Sequence, residues 1–191
     1  NSLEKIIKKT YRREESEMKA IVKNIIDTVG GLCLGAVVSV FILTTIIANA
    51  SIPTGSMENT IRVGDRVFGN RLAYIVSEPK RGDVILFRFP DDKSLIYTKR
   101  IIGVPNDVID IRDGKIYLNN SDTPLDEPYL KEPMVDNPDM HFEVPANSYF
   151  CMGDNRNKSA DSRYWNNKFV SKDDIIAKVE VSYFPNPRII K

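Results

Sequence analysis

From Val29 to Ala50 the chain runs for 22 residues without a charged side chain. As a helix such a run is about 33 Å long, at ~1.5 Å per residue, which matches the hydrocarbon thickness of a bilayer. Only Asn49 and scattered Ser and Thr dilute it, and those hydroxyls can bond back to their own helix. Lys5, Lys8, Lys9, Arg12, Arg13, Lys19 and Lys23 all precede the run. By the positive-inside rule that flank is cytoplasmic, and everything from Ser51 onward is extracytoplasmic. Ala48-Asn49-Ala50 has the small-x-small form of a secretory cleavage site, but a secretory signal has an apolar core of about 7–15 residues, shorter than this one. An uncleaved anchor is therefore the better reading. It divides the chain into a basic cytoplasmic tail (1–28), a transmembrane anchor (29–50) and an extracytoplasmic domain (51–191).

The tail fits a partly amphipathic helix or a frayed segment. The domain has room for a hydrophobic core of its own. Beyond the anchor the pattern changes to short segments rich in β-branched and aromatic residues, bounded by turn signals. They are 65–69, 83–89, 95–104, 108–111, 115–118, 149–152 and 175–184. Asp113-Gly114 between two of them marks a tight hairpin. The expected fold class is mainly β, an antiparallel barrel or sandwich-like catalytic domain behind one N-terminal transmembrane helix. Residues 119–147 carry five Pro, four Asp and three Glu and read as an irregular insertion or small cap.

Composition excludes several kinds of chemistry. The 27 basic and 26 acidic residues nearly cancel, and no aromatic-basic stripe suits nucleic acid. No phosphate-binding glycine loop is present. No His/Cys/carboxylate cluster has metal-ligand spacing, so neither metal nor cofactor is called for. Cys33 lies inside the anchor run and Cys151 far outside it, which argues against a disulfide; Cys151 reads as a small buried residue. The lone histidine, His141, sits in the proline-rich insertion and is a poor candidate for a Ser-His-Asp triad.

A serine activated by lysine remains. Lysine is a base only when its amine is neutral, and burial in apolar surroundings lowers its pKa toward that state. Lys99 fits best, within Leu95-Ile-Tyr-Thr-Lys-Arg-Ile-Ile102. Strand alternation puts Tyr97, Lys99 and Ile101 on one face and Thr98, Arg100 and Ile102 on the other. The competing reading is an edge-strand lysine that guards against aggregation. The hydroxyl-rich turn Ser51-Ile-Pro-Thr-Gly-Ser-Met57 and the dense stretch Gly153-Asp-Asn-Arg-Asn-Lys-Ser-Ala-Asp-Ser-Arg163 are the other two motifs.

Together with Arg81-Gly-Asp83 and with Pro105 and Asp107 after Gly103, these motifs resemble the signature segments of bacterial type I signal peptidases. The single anchor and short insertion look like the compact Gram-positive forms. The resemblance implies Ser56 as nucleophile and Lys99 as general base. It implies Thr54, with the Ser56 N–H, as oxyanion donor, and Ser159 as the group that hydrogen-bonds and orients Lys99. Arg100, Asp154, Arg156, Asp161 and Arg163 would form ion pairs holding the third motif against the Lys99 strand. Ile52, Pro53, Met57, Ile61, Leu86, Tyr97 and Thr98 would line shallow pockets for small side chains. Two positions depart from the family pattern: Asn106 stands where glycine is common, and Thr54 where several members carry Ser. The expected activity is a membrane-bound serine endopeptidase that cleaves signal peptides after an Ala-x-Ala-like site, through an acyl-enzyme. Its partners would be preproteins and membrane lipid, with no nucleic acid, and it would be monomeric in the membrane. The alternatives are a membrane-tethered β-rich binding or scaffold domain, or a Ser-Lys hydrolase acting on another acyl substrate. Ala48-Asn49-Ala50 also raises the possibility that one copy clips another's anchor.

Overall fold

The computed structural model describes residues 2–135 and 138–190. Positions 1, 136, 137 and 191, which fall in the expected tail, insertion and C-terminal end, lie outside the described residues. The chain divides into a helical unit up to Thr44 and a β-rich unit from Thr45 onward.

Helix α1 spans Ser2–Thr45, so the charged tail takes the helical alternative. Two i,i+4 ion pairs, Arg13 with Glu17 and Glu15 with Lys19, support its polar half. Further along, Thr28, Ser39 and Thr44 donate their hydroxyls to the carbonyls of Asn24, Gly35 and Val40. Tyr11–Thr45 is long and apolar enough to cross a membrane, and side chains such as Leu32, Leu34 and Phe41 are exposed. The helix stops at Thr45, short of the expected boundary at Ala50. Strand pairing takes over there: β1 (Ile47–Ser51) lies antiparallel to β2 (Arg66–Asn70), Ala48 opposite Gly69 and Ala50 opposite Val67. Ala48 is buried in this pairing, so Ala48-Asn49-Ala50 is folded strand and a poor target for clipping by a second copy.

The remaining strands are β3 (Val84–Phe89), β4 (Asp92–Gly103), β5 (Val108–Arg112), β6 (Lys115–Leu118), β7 (Met140–Glu143), β8 (Ser148–Met152), β9 (Val170–Ser171), β10 (Ile175–Phe184) and β11 (Arg188–Ile189). Among the described residues the larger sheet has the order β1-β2-β10-β3-β4-β8-β9, with β11 on β10, and a smaller one has the order β6-β5-β7. All pairings are antiparallel, as the turn pattern predicts. The β5–β6 turn is Asp113-Gly114, both at positive φ. β10 is bulged three times and thereby pairs with β3 over its first half and β2 over its second. The proline-rich stretch is not wholly irregular, since Met140–Glu143 joins β5 as a strand.

Three apolar clusters make up the core. The first joins Ile52, Met57 and Ile61 to Val67, Val84, Leu86 and Val179. The second packs Ile102 and Phe150 against the small sheet through Ile109 and Ile116. The third gathers Ile85, Phe87, Ile101, Cys151 and Trp165 on the Lys99 face of β4. At residues 99–102 both faces of β4 are buried, so Lys99 is an interior lysine and not an edge-strand guard.

Candidate active site

Ser56 sits in a single 3-10 turn, Gly55–Met57, reached through the extended residues Ile52–Thr54. Met57 anchors the turn in the first core cluster. Lys99 is carried by the middle of β4, opposite Ile85 of β3. These two elements, 43 positions apart in sequence, bring the Lys99 Nζ to 2.6 Å from the Ser56 Oγ. Both residues are buried. Loss of water around the amine lowers the Lys99 pKa to about 8 from an ordinary 10.5, and the negative fields of Asp161 and Asp154 oppose that fall only in part. Near neutral pH a usable fraction of the amine is thus unprotonated.

Thr54 stands at the mouth of the turn, its Oγ1 3.5 Å from the Ser56 Oγ. Asn155 holds the Ser56 turn, donating from its N to the Ser56 carbonyl (3.0 Å) and from its Nδ2 to the Gly55 carbonyl (2.9 Å). Gly153 is wedged behind it. A Cβ there would collide with the Ser56 carbonyl and with the Ser159 side chain, so only glycine fits. Ser159 is buried beside the pair, but its Oγ makes no hydrogen bond among the described residues. The expected bond to Lys99 is absent; the Lys99 Nζ contacts the Ser56 Oγ instead.

The charged frame differs in part from the expectation. Arg100 grips Asp154 in a buried two-point pair, Nε at 2.9 Å and Nη2 at 2.7 Å, which ties β4 to the Gly153–Arg163 stretch. Thr60 donates to the same carboxylate, and the Tyr129 ring lies 4.0 Å from the Arg100 guanidinium. Arg163 closes on Asp161 within the stretch and donates to the Arg156 carbonyl, while Asp161 accepts from Gly153 N. Arg156, however, pairs with Glu127, a residue of the supposed insertion that sequence reasoning did not single out. An intervening segment rich in proline and acidic side chains gives no local signal for such a pairing. His141 is bonded to Asp110 on the small sheet at 2.7 Å and does not line the cleft. Asn106 adopts φ 70°, the left-handed conformation that asparagine tolerates.

A cleft of about 480 Å³ opens over Ser56 and Lys99, lined by Ile52, Pro53, Thr54, Met57, Leu86, Tyr97 and Thr98 as expected. Ile61 is not among them; it is fully buried in the first core cluster. Asn49, Ala50, Ser51, Ile96, Lys158 and Ala160 complete the walls. The first three belong to the strand that replaced the end of the anchor.

Comparison with known proteins defines the class, a serine endopeptidase. Residues 23–184 match the family described as signal peptidase, peptidase S26, and the chain belongs to that family. It is 31% identical to the probable signal peptidase I-2 of Synechocystis sp., over 97% of this chain and 84% of that one. It is 34% identical to signal peptidase I P of Bacillus subtilis subsp. natto, over 87% and 92%. A third relative, 30% identical over 88% and 94%, is named inactive signal peptidase IA, from Staphylococcus aureus. Signal-peptide cleavage by a serine peptidase, with preproteins as substrates, is the reaction that membership brings.

Proposed function

We propose that this chain is a membrane-tethered signal peptidase in which Ser56 and Lys99 form the catalytic pair. The observation that carries the reading is the 2.6 Å contact between a buried serine hydroxyl and a lysine amine of lowered pKa. Family membership alone would not suffice, since a relative of similar identity is named inactive. The neutral Lys99 amine accepts the Ser56 proton as Oγ attacks the substrate carbonyl, and the resulting ammonium passes a proton to the leaving amine. Lys99, neutral again, then takes a proton from the water that hydrolyses the acyl-enzyme. The Thr54 hydroxyl and the Ser56 N–H stabilise the developing oxyanion.

The sheet supports an extended substrate. β1 ends the sheet order, leaving its outer edge unpaired among the described residues. β4 gains its second partner, β8, only from Arg100 onward, so its edge at residues 95–98 is also open. The cleft lies between these two edges, where a peptide can add as a strand through its main chain. Met57, Leu86 and Tyr97 line the cleft beside it, apolar walls that suit small uncharged side chains on the acyl side of the cut. The basic residues before the apolar run support a tail in the cytoplasm and a peptidase unit on the outer side of the cytoplasmic membrane.

The test is cleavage of a purified preprotein by the full chain in detergent micelles, followed by sequencing of the new N-terminus. Wild type should cut after an Ala-x-Ala segment, and Ser56→Ala and Lys99→Ala should each be inactive. Folded wild type that leaves the preprotein whole would favour the scaffold reading, and cleavage that survives Lys99→Ala would place the base elsewhere.

A further inference from the structure

Lys99 and Lys158 are the two charged residues among the described lining of the cleft. The Lys99 amine is buried and faces Ser56. Lys158 is exposed and ends the 3-10 turn Arg156–Lys158. No ion pair engages it among the described residues. The nearby carboxylate, Glu58, is already paired with Lys131 at 2.8 Å. Lys158 also helps hold the Glu58 carboxyl below its ordinary range, and among the described lining it is the exposed positive charge on the cleft wall, Lys99 being buried.

The fold says which half of a substrate passes it. The open edges at 49–51 and 96–98 hold the acyl half. Past Lys99 that slot is closed, because β8 occupies the β4 edge from Arg100 and its chain continues directly into Gly153. Gly153 lies against the Ser56 carbonyl, and Asn155 is bonded to it. The leaving half of the substrate must turn out over the segment that follows, where Lys158 and Ala160 form the wall.

We propose that Lys158 reads charge on the leaving side of the scissile bond, favouring Asp or Glu and disfavouring Lys or Arg in the first residues of the released chain. The inference rests on the peptidase reading above. It concerns the rate at which substrates are selected, because an exposed charge acts on approach and seating and not on the chemistry at Ser56.

The experiment uses preproteins that differ only by Glu, Gln or Lys, placed in turn at each of the first few positions after the cleavage site. They are cleaved by the full chain in uncharged detergent micelles, at low and at high salt. At one or more of those positions wild type should favour Glu over Lys in kcat/KM by about two- to fivefold per charge, the range an exposed ion pair supplies. The preference should shrink in high salt, vanish in Lys158→Gln, reverse in Lys158→Glu and persist in Lys158→Arg. Reversal together with retention by arginine separates charge reading from a packing role. A Glu-to-Lys ratio that is the same in wild type, Lys158→Gln and Lys158→Glu at every position overturns the inference while leaving the peptidase intact. A wild type that cleaves none of the panel overturns both.

Discussion

Replacing Lys99 with methionine should abolish cleavage and at the same time stabilise the fold. Methionine keeps the unbranched shape of the lysine stem and removes the buried amine. The lysine pKa falls from 10.5 to about 8 on folding. Below pH 8 folded and unfolded chains both hold the proton, and the folded chain holds it in a desolvated place at a cost of about 3 kcal/mol. Between pH 8 and 10.5 the unfolded state binds more protons than the folded one, so wild-type stability rises with pH. The advantage of Lys99→Met should be at most about 3 kcal/mol at pH 7 and should shrink to about 2 kcal/mol at pH 9. Urea unfolding of the full chain in micelles reads this directly. Trp165 is the protein's one tryptophan, and it is buried between Phe87, Phe89 and Tyr97 on the Lys99 face of β4. Its fluorescence therefore follows the peptidase unit and not the helix. A variant no more stable than wild type at pH 7, or a difference that does not change between pH 7 and 9, would refute the claim that this lysine is desolvated.

With Lys99 as the proposed base, kcat/KM should drop about tenfold per pH unit well below a midpoint near 8, measurable with a preprotein substrate. Arg100→Met should destabilise the fold by about 3–5 kcal/mol, because it leaves the Asp154 carboxylate buried without its cation. Adding Asp154→Leu should recover much of that loss in the same urea assay. Gly153→Ala should cost about 1–3 kcal/mol through overpacking and should lower kcat, because the added methyl presses on the Ser56 carbonyl. Glu127→Gln should loosen Arg156 and reduce activity without displacing the Lys99–Ser56 contact, which a crystal structure of the variant can check.

The two residues of the proposed catalytic pair were legible because each lies in a short stretch with its own character. Ser56 follows a stiffened turn, and Lys99 is embedded in an apolar strand whose alternation leaves it no solvent. What was not legible depends on partners distant in sequence. Composition alone cannot tell that Ile47–Ala50 leaves the helix, because the same apolar residues suit a membrane helix and a buried strand; the register with Arg66–Asn70 decides it. Glu127 and Tyr129 reach Arg156 and Arg100 from a proline-rich stretch with no periodicity to read. Ile61 was assigned to the cleft by likeness, yet its neighbours on β2 and β3 claim it for the core. Ser159 is packed against Gly153 with its hydroxyl unbonded among the described residues, and nothing local in its stretch signals that.

The open edges of β1 and β4 have one more consequence. A bare strand edge is ordinarily a liability, since any extended polypeptide can adhere to it. Beside the serine proposed as nucleophile, that indiscriminate adhesion would become an asset. Main-chain pairing is the same for every sequence, so a slot that reads backbone would ask little of its clients' side chains. A single catalyst of this design can serve a whole crowd of secreted proteins with little else in common.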